Sequence, residues 1–225
     1  MLRRYLVDER LLVRDAIATG GQEMEFQDVV RRRKMVRSFE DRPVPREVLE
    51  RILRNAQRAP SAGFSQGQAF LVLEGPAHTK RYWDALMPVD RRASYSASWP
   101  DLFNAPVLIV CLDSKDIYLD RYSEADKGWT DRSEGRWPVP YWDIDAGMAA
   151  MIILLDAVDA GLGALFFGIP DQARFRETFG VPDGYNAIGT IALGYAKPND
   201  RPSPSLARGR RPPSSVIHRG RWANV

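Results

Sequence analysis

Short apolar runs alternate with helical stripes along this chain. Ala69–Leu73 and Ala105–Leu112 are apolar, rich in branched side chains and bounded by turn residues, so each reads as a buried strand. Residues 162–168 and 187–194 read the same way. Val48, Leu49, Ile52, Leu53 and Ala56 recur at helical spacing, which predicts a helix over residues 45–58, with Pro45 in its first turn and Pro60 stopping it. Shorter helices are expected over 25–33, 77–87 and 171–179. A long one is expected from Asp145 to Ala160, with Gly161 past its end. It is apolar nearly all round, the mark of a buried helix or of one in a subunit interface. Residues 113–142 show no period and read as irregular, and a stretch of that length serves as a lid, a binding loop or a mobile segment. Four strands separated by helices predict a layered α/β arrangement, and periodicity leaves the strand order open.

Composition narrows the class. The chain has 225 residues, 44% hydrophobic and 27% charged, which suits a packed domain and excludes disorder, collagen and coiled coil. Met148 to Leu155 is the longest apolar run and is too short to cross a bilayer, so no membrane association is expected. A single cysteine, Cys111, leaves no disulfide framework within one chain. With only His78 and His218 beside it, no zinc site is expected either. A reducing cytoplasm is the default compartment. Residues 2–18 read as an amphipathic helix ended by Gly20-Gly21, and charges at Asp8, Glu9, Arg10, Arg14 and Asp15 interrupt any signal-peptide core. Met24 is an alternative start. The expected division is therefore an N-terminal helical extension, 1–23, and one domain, 24–225.

Charge is unevenly spread. Residues 1–58 carry a net +4, residues 59–199 a net −6 and residues 200–225 a net +5. The cations are mostly Arg, whose planar fork matches phosphate and carboxylate. The acidic middle weighs against a nucleic-acid module.

Four constellations carry candidate chemistry. Arg33-Lys34-Met35-Val36-Arg37-Ser38-Phe39 gathers cations at a helix end, as an anion site or as a solvated basic face. Ala59-Pro60-Ser61-Ala62-Gly63-Phe64-Ser65-Gln66 is a loop of small residues that a flat ring can approach closely; it also reads as an ordinary connection. Residues 161–170 hold no GxGxxG fingerprint, and Gly168 before Ile169-Pro170 leaves a backbone amide free at a strand end, or makes a tight turn. Arg208-Gly209-Arg210-Arg211, if extended, puts Arg208 and Arg210 on one side.

Taken in this order, the four pieces resemble the FMN-dependent nitroreductase family. The first is similar to its R-R-S-x-R-x-F opening, with Arg33, Lys34, Met35, Arg37 and Phe39 in register. The second resembles its A-P-S-A-x-N-x-Q-P-W loop. Gly180-Val-Pro-Asp-Gly-Tyr and Ile191-Ala-Leu-Gly-Tyr195 add to the likeness, which spans residues 25–225. Met35 stands where Ser is usual, Phe64 where Asn is common, and Gly67-Gln68 where Pro-Trp is expected.

The resemblance implies an α+β, three-layer α/β/α sandwich with a mainly antiparallel sheet, active as an intertwined homodimer. It implies FMN bound at the dimer interface and NADH or NADPH as electron donor. Arg33, Lys34, Met35, Arg37, Arg208 and Arg210 would hold the phosphate and ribityl chain. Pro60, Ser61 and Ala62 would pack on the isoalloxazine from the other subunit, Gln66 would bond the ribityl chain or ring, and Phe167 and Gly168 would place backbone groups at N5. The flavin does the hydride chemistry, so no catalytic side chain is expected. The acceptor would be a small nitroaromatic or a quinone-like ring, with Phe64, Trp129, Trp137, Tyr141 and Trp142 as candidate contacts. Core or interface packing accounts for these aromatics equally well. Other family members imply alternatives: a flavin-cleaving dimethylbenzimidazole synthase, a dehalogenase, a biosynthetic dehydrogenase, or a flavin-storing protein without turnover.

Overall fold

In the computed structural model, which describes residues 24–222, helices cover both faces of one four-stranded sheet. The strands are β1 (Gln68–Glu74), β2 (Val107–Asp113), β3 (Gly163–Phe167) and β4 (Asn186–Gly194). Their spatial order is β1-β2-β4-β3, and every neighbouring pair is antiparallel. The helices are α1 (Phe26–Arg32), α2 (Arg46–Ala56), α3 (Pro76–Leu86), α4 (Val89–Ser98), α5 (Lys115–Ser123), α6 (Tyr141–Asp159) and α7 (Gln172–Phe179). The helix expected over residues 2–18 lies outside the described residues.

The continuous apolar run of β2 explains its place. All its residues are buried, because it sits inside the sheet with helices on both sides. Leu108, Val110 and Leu112 face one core with Tyr82, Trp83 and Leu86 of α3 and Phe175 of α7. Val107, Ile109 and Cys111 face the other with Leu49, Ile52 and Ala56 of α2 and Ala150, Ile153, Leu154 and Ala157 of α6. The period of two in the strand thus feeds two separate cores, giving the α/β/α layers.

Two expectations need correction. Residues 113–142 are not wholly irregular: they contain α5, and α6 starts at Tyr141 rather than Asp145. Only Tyr118 and Leu119 of α5 are buried, so charged residues hide its period. The extended run expected over Arg208–Arg210 is also absent. Pro204–Arg208 form a 3-10 turn and Gly209 has φ +72°, which breaks the alternation that would put the two arginines on one side. Val216 and Ile217 follow a second such turn and form no strand within the chain.

The long α6 is apolar, but not buried all round. Ala149, Ile153 and Ala157 are sealed against the sheet, whereas Ile144, Met148 and Met151 are exposed. Among the described residues no helix is long and apolar enough to cross a membrane.

The first core holds one buried polar pair, the Tyr82 hydroxyl and the Thr190 hydroxyl, 2.7 Å apart. Thr190→Val should strand the phenol and cost about 1–3 kcal/mol. Adding Tyr82→Phe should recover part of that loss in a double-mutant cycle read by denaturant unfolding.

Candidate active site

After α1 the chain runs extended beside β3. Met35 makes a parallel bridge to Ala164, and the Val36 amide donates to the Ala164 carbonyl at 2.9 Å. Gly163 permits this approach, since a Cβ there would lie 2.7 Å from Val36. On its other side the segment is clamped by the turn after β4. The buried Asp200 carboxylate accepts from the Arg37 amide at 2.8 Å and pairs with Lys34 Nζ at 3.0 Å. The Asp101 carboxylate accepts from the Ser38 hydroxyl at 3.1 Å and from Lys197 at 2.7 Å. These bonds hold Asp101 below the usual carboxylate range, the Lys197 bond contributing most.

The cations in this segment are not equivalent. Lys34 already has a carboxylate partner. Arg37 donates to the Met35 carbonyl at 3.2 Å and lies 5.3 Å from the centre of the Trp99 ring. Arg33 is half-buried and, among the described residues, is in no ion pair. The same holds for the exposed Arg208 and Arg210. With Arg37, whose guanidinium also meets no carboxylate among the described residues, these make four guanidinium groups that fit the charge of a phosphate monoester.

The Pro60–Gln66 loop is fixed by α6, by α5 and by bonds of its own. The Ala62 amide donates to the Asp145 carboxylate of α6 at 2.8 Å, and Arg121 Nε of α5 donates to the Gly63 carbonyl at 2.9 Å. Within the loop the Gln66 amide donates to the Ser61 hydroxyl at 3.0 Å, and the Ser65 hydroxyl donates to the Ala62 carbonyl at 2.6 Å. Tyr118 of α5 donates to the same Asp145 oxygen at 2.8 Å. Gly63, Phe64 and Gln66 all have positive φ, and Phe64 is 74% exposed. Left-handed backbone at two non-glycine residues persists only where neighbours over-determine it. Sequence alone does not single out Asp145, one of four aspartates in α6, nor Tyr118 and Arg121, which lie in a helix whose period is hidden.

Beyond β3 the candidates separate. The Phe167 ring turns into the core and stacks on Trp83, with centroids 5.4 Å apart, so only its backbone can serve a site. Gly168 follows it, exposed, with open space where a Cβ would be. The aromatics over residues 118–142 pack mainly on one another. Trp137 lies 4.5–6.0 Å from Tyr118, Tyr122, Trp129, Tyr141 and Trp142, centroid to centroid. Trp142 is buried; Tyr141 is exposed. Cys111 is no nucleophile, since burial pushes its thiol up to about 12.

Within the chain the loop and the basic arm lie apart. The loop is tied to Asp145 near the start of α6. Met35 is bridged to Ala164, just past its end. Asp145 and Asp159 are fourteen residues apart, about 21 Å along the axis.

Fold and site together define an α+β protein with a basic arm strapped to β3 and a braced loop of small residues at the start of α6. The model of the nitroreductase family matches residues 30–195, and the chain belongs to that family. It is thereby an oxidoreductase by class. A protein of Archaeoglobus fulgidus named "Putative NADH dehydrogenase/NAD(P)H nitroreductase" is 29% identical over 194 residues, covering 84% of this chain and 94% of that one. A Caenorhabditis elegans protein named iodotyrosine dehalogenase 1 homolog is 24% identical over 219 residues, 87% of this chain and 62% of that one. The crystal structure of a nitroreductase family protein from Streptococcus pneumoniae superposes with a TM-score of 0.66, at 20% identity, over 87% of this chain and all of that one. That last likeness concerns the fold alone.

Phe64→Gly should relieve the strain at φ +56° while losing little burial. The expected result is a stability gain of about 0.5–1 kcal/mol in thermal or denaturant unfolding.

Proposed function

We propose that the chain is an FMN-dependent oxidoreductase that takes hydride from NADH or NADPH and delivers electrons to a nitroaromatic, a quinone or a similar flat acceptor. It works as a homodimer with two sites. The observation that carries this reading is the separation of the loop from the cations along α6, combined with the exposed apolar stripe Ile144, Met148 and Met151. Two copies pairing antiparallel through α6 would bury that stripe and bring the Ser61–Gln66 loop of one to the Arg33–Arg37 segment of the other. Phe26 and Val30 of the adjoining α1 add exposed apolar surface.

The tail fits the same arrangement. Among the described residues no strand lies beside the outer edge of β1, and a groove of about 390 Å³ runs along it, lined by Leu53, Phe70 and Val72 and by the polar Glu50, Arg54 and Gln57. Val216 and Ile217 of a second copy suit that edge, by strand addition. Crossing over in this way would carry Arg208 and Arg210 towards a shared site.

The residues fit FMN. Arg33, Arg208 and Arg210 would neutralise the phosphate; Lys34, already paired, would hold Asp200 and so the shape of the arm. Pro60, Ser61 and Ala62 present little side-chain bulk to a ring face. Gly168 places a backbone amide without a side chain to shield it. FMN, when bound, supplies a two-electron centre that exchanges hydride with the nicotinamide and the acceptor in turn. The chain therefore needs no acid, base or nucleophile of its own, and one pocket used alternately gives ping-pong kinetics. Tyr141, the exposed member of the aromatic cluster around Trp137, would be the first of these rings to meet an acceptor.

Purified protein should be yellow and release FMN on heating, and its absorbance should bleach anaerobically with NADH or NADPH and return with a quinone. A colourless protein that cannot be reconstituted would overturn the reading, and a flavin that stays oxidised would favour storage over turnover. Arg33→Gln and Arg210→Gln should each weaken FMN binding by about 10- to 150-fold, the range expected for losing a charge-assisted bond, whereas Lys34→Gln should weaken it less. Flavin fluorescence titration reads all three. Met148→Glu should yield monomers by light scattering and lose flavin with them.

A further inference from the structure

Where β2 ends and α6 begins, the carboxyl groups of Asp113 and Asp143 meet without a cation, and Asp145 lies two residues further along α6. Asp113 is the last residue of β2 and only 2% exposed; Asp143 lies in the first turn of α6 and Asp145 just beyond it. Asp145 is satisfied by Tyr118 and Ala62. The other two are not: Asp113 Oδ2 and Asp143 Oδ1 are buried without a hydrogen-bond partner. Gln68, directly across the β1–β2 ladder from Asp113, also buries an unpartnered amide oxygen. The groups facing the pair are the Asn186 amide of β4, Gln68 of β1 and the Tyr118 hydroxyl of α5. Lys115 of α5 is drawn outward to Glu134, 2.7 Å away. Among the described residues no basic group pairs with any of the three acids, and no cluster suits a metal ion.

The Asn186 amide donates towards Asp113, but the unpartnered oxygens of Asp113 and Asp143 are both acceptors, and a proton on one carboxyl supplies the donor between them. We propose that Asp113 and Asp143 share one proton that seats the first turn of α6 on the end of β2 and, through Asp145, holds the Ser61–Gln66 loop in shape for the flavin. They are positioning residues, since neither touches the proposed ring. The last step rests on the FMN reading above; the seating of the loop does not.

Burial first, then the Asp143 carboxylate, pushes Asp113 up from its ordinary 3.8 to about 7. The folded chain therefore keeps a proton that the unfolded chain releases at lower pH. Stability should fall as pH rises between those two values and level off above about 7, by at most about tenfold in the folding constant per pH unit for one proton. Above that range two adjacent carboxylates repel, and the loop loosens with α6.

The test uses the full chain between about pH 5.5 and 8.5. Difference infrared spectra in water and deuterium oxide should show a protonated carboxyl band that vanishes through neutrality and is absent from Asp113→Asn. The side-chain amide of that variant donates to Asp143 at every pH. Hydrogen exchange at the Ala62 amide, corrected for intrinsic rate, should quicken several-fold above neutrality in the unmodified protein and stay level in Asp113→Asn. Thermal midpoints should fall with pH only in the unmodified protein. Asp143→Asn should behave alike, and the infrared and exchange measurements on unmodified protein stand even if both variants misfold. No titrating band, or an equal pH slope in variant and unmodified protein, would overturn the shared proton. A band that titrates while Ala62 exchange stays flat would overturn the coupling to the loop. FMN retention should weaken with pH in parallel with Ala62 exchange. A chain that behaves as expected at Ala62 yet binds no FMN at any pH would count against the flavin reading alone.

Discussion

Everything placed near the candidate site is placed by the seal between α6 and the sheet. Ala149, Ile153 and Ala157 lie at zero exposure against β2 and β4. Small alanines let the helix sit close, and Ile153 fills the gap at a gain of about 1.5–3 kcal/mol. That contact fixes both ends of a 19-residue rod. The near end receives Ala62 through Asp145, and the far end leads into β3, on which the basic arm is strapped. A shift of α6 would therefore move the loop and the arm together, which no local contact within either could correct.

Much of this was legible in the sequence, for a definite reason. β2 announces itself because both its faces are covered, so its apolar run is unbroken, and β4 does so with one interruption at Thr190. α2 shows because it is half-buried, with Leu49, Ile52 and Ala56 on the inner stripe and charges outside. α5 and α4 gave no such signal. α4 buries none of its residues, and α5 buries two next to each other, so neither has a period to detect. The arm, the loop and the glycine after β3 were readable as motifs. What motifs did not convey is which cation is already engaged. Lys34 looks like Arg33 on paper, and only folding brings Asp200, 166 positions further on, against it.

The buried acids show the same limit more sharply. Asp113, Asp143 and Asp145 are spread over a strand end and a helix start, and composition counts them as part of the acidic middle. Their meaning depends on what is missing around them. Lys115 is two residues from Asp113, yet it reaches out to Glu134 instead of in. A residue's partner is set by the direction of its side chain, and that direction is a product of the fold.

The departures from the family pattern gain a physical sense from the same geometry. Where Asn is usual, Phe64 occupies a backbone conformation that Asn adopts easily and Phe does not. Five hydrogen bonds among Ser61, Ala62, Gly63, Ser65, Gln66, Asp145 and Arg121 hold the loop around it. Because an exposed ring contributes little to stability by burial, a loop braced this heavily to display one is held against its own preference. The bracing runs through Asp145 to the same helix turn that carries Asp143. Strain in the loop and uncompensated acid beneath it are thus two loads on one support, and the seal of α6 against the sheet is what bears both.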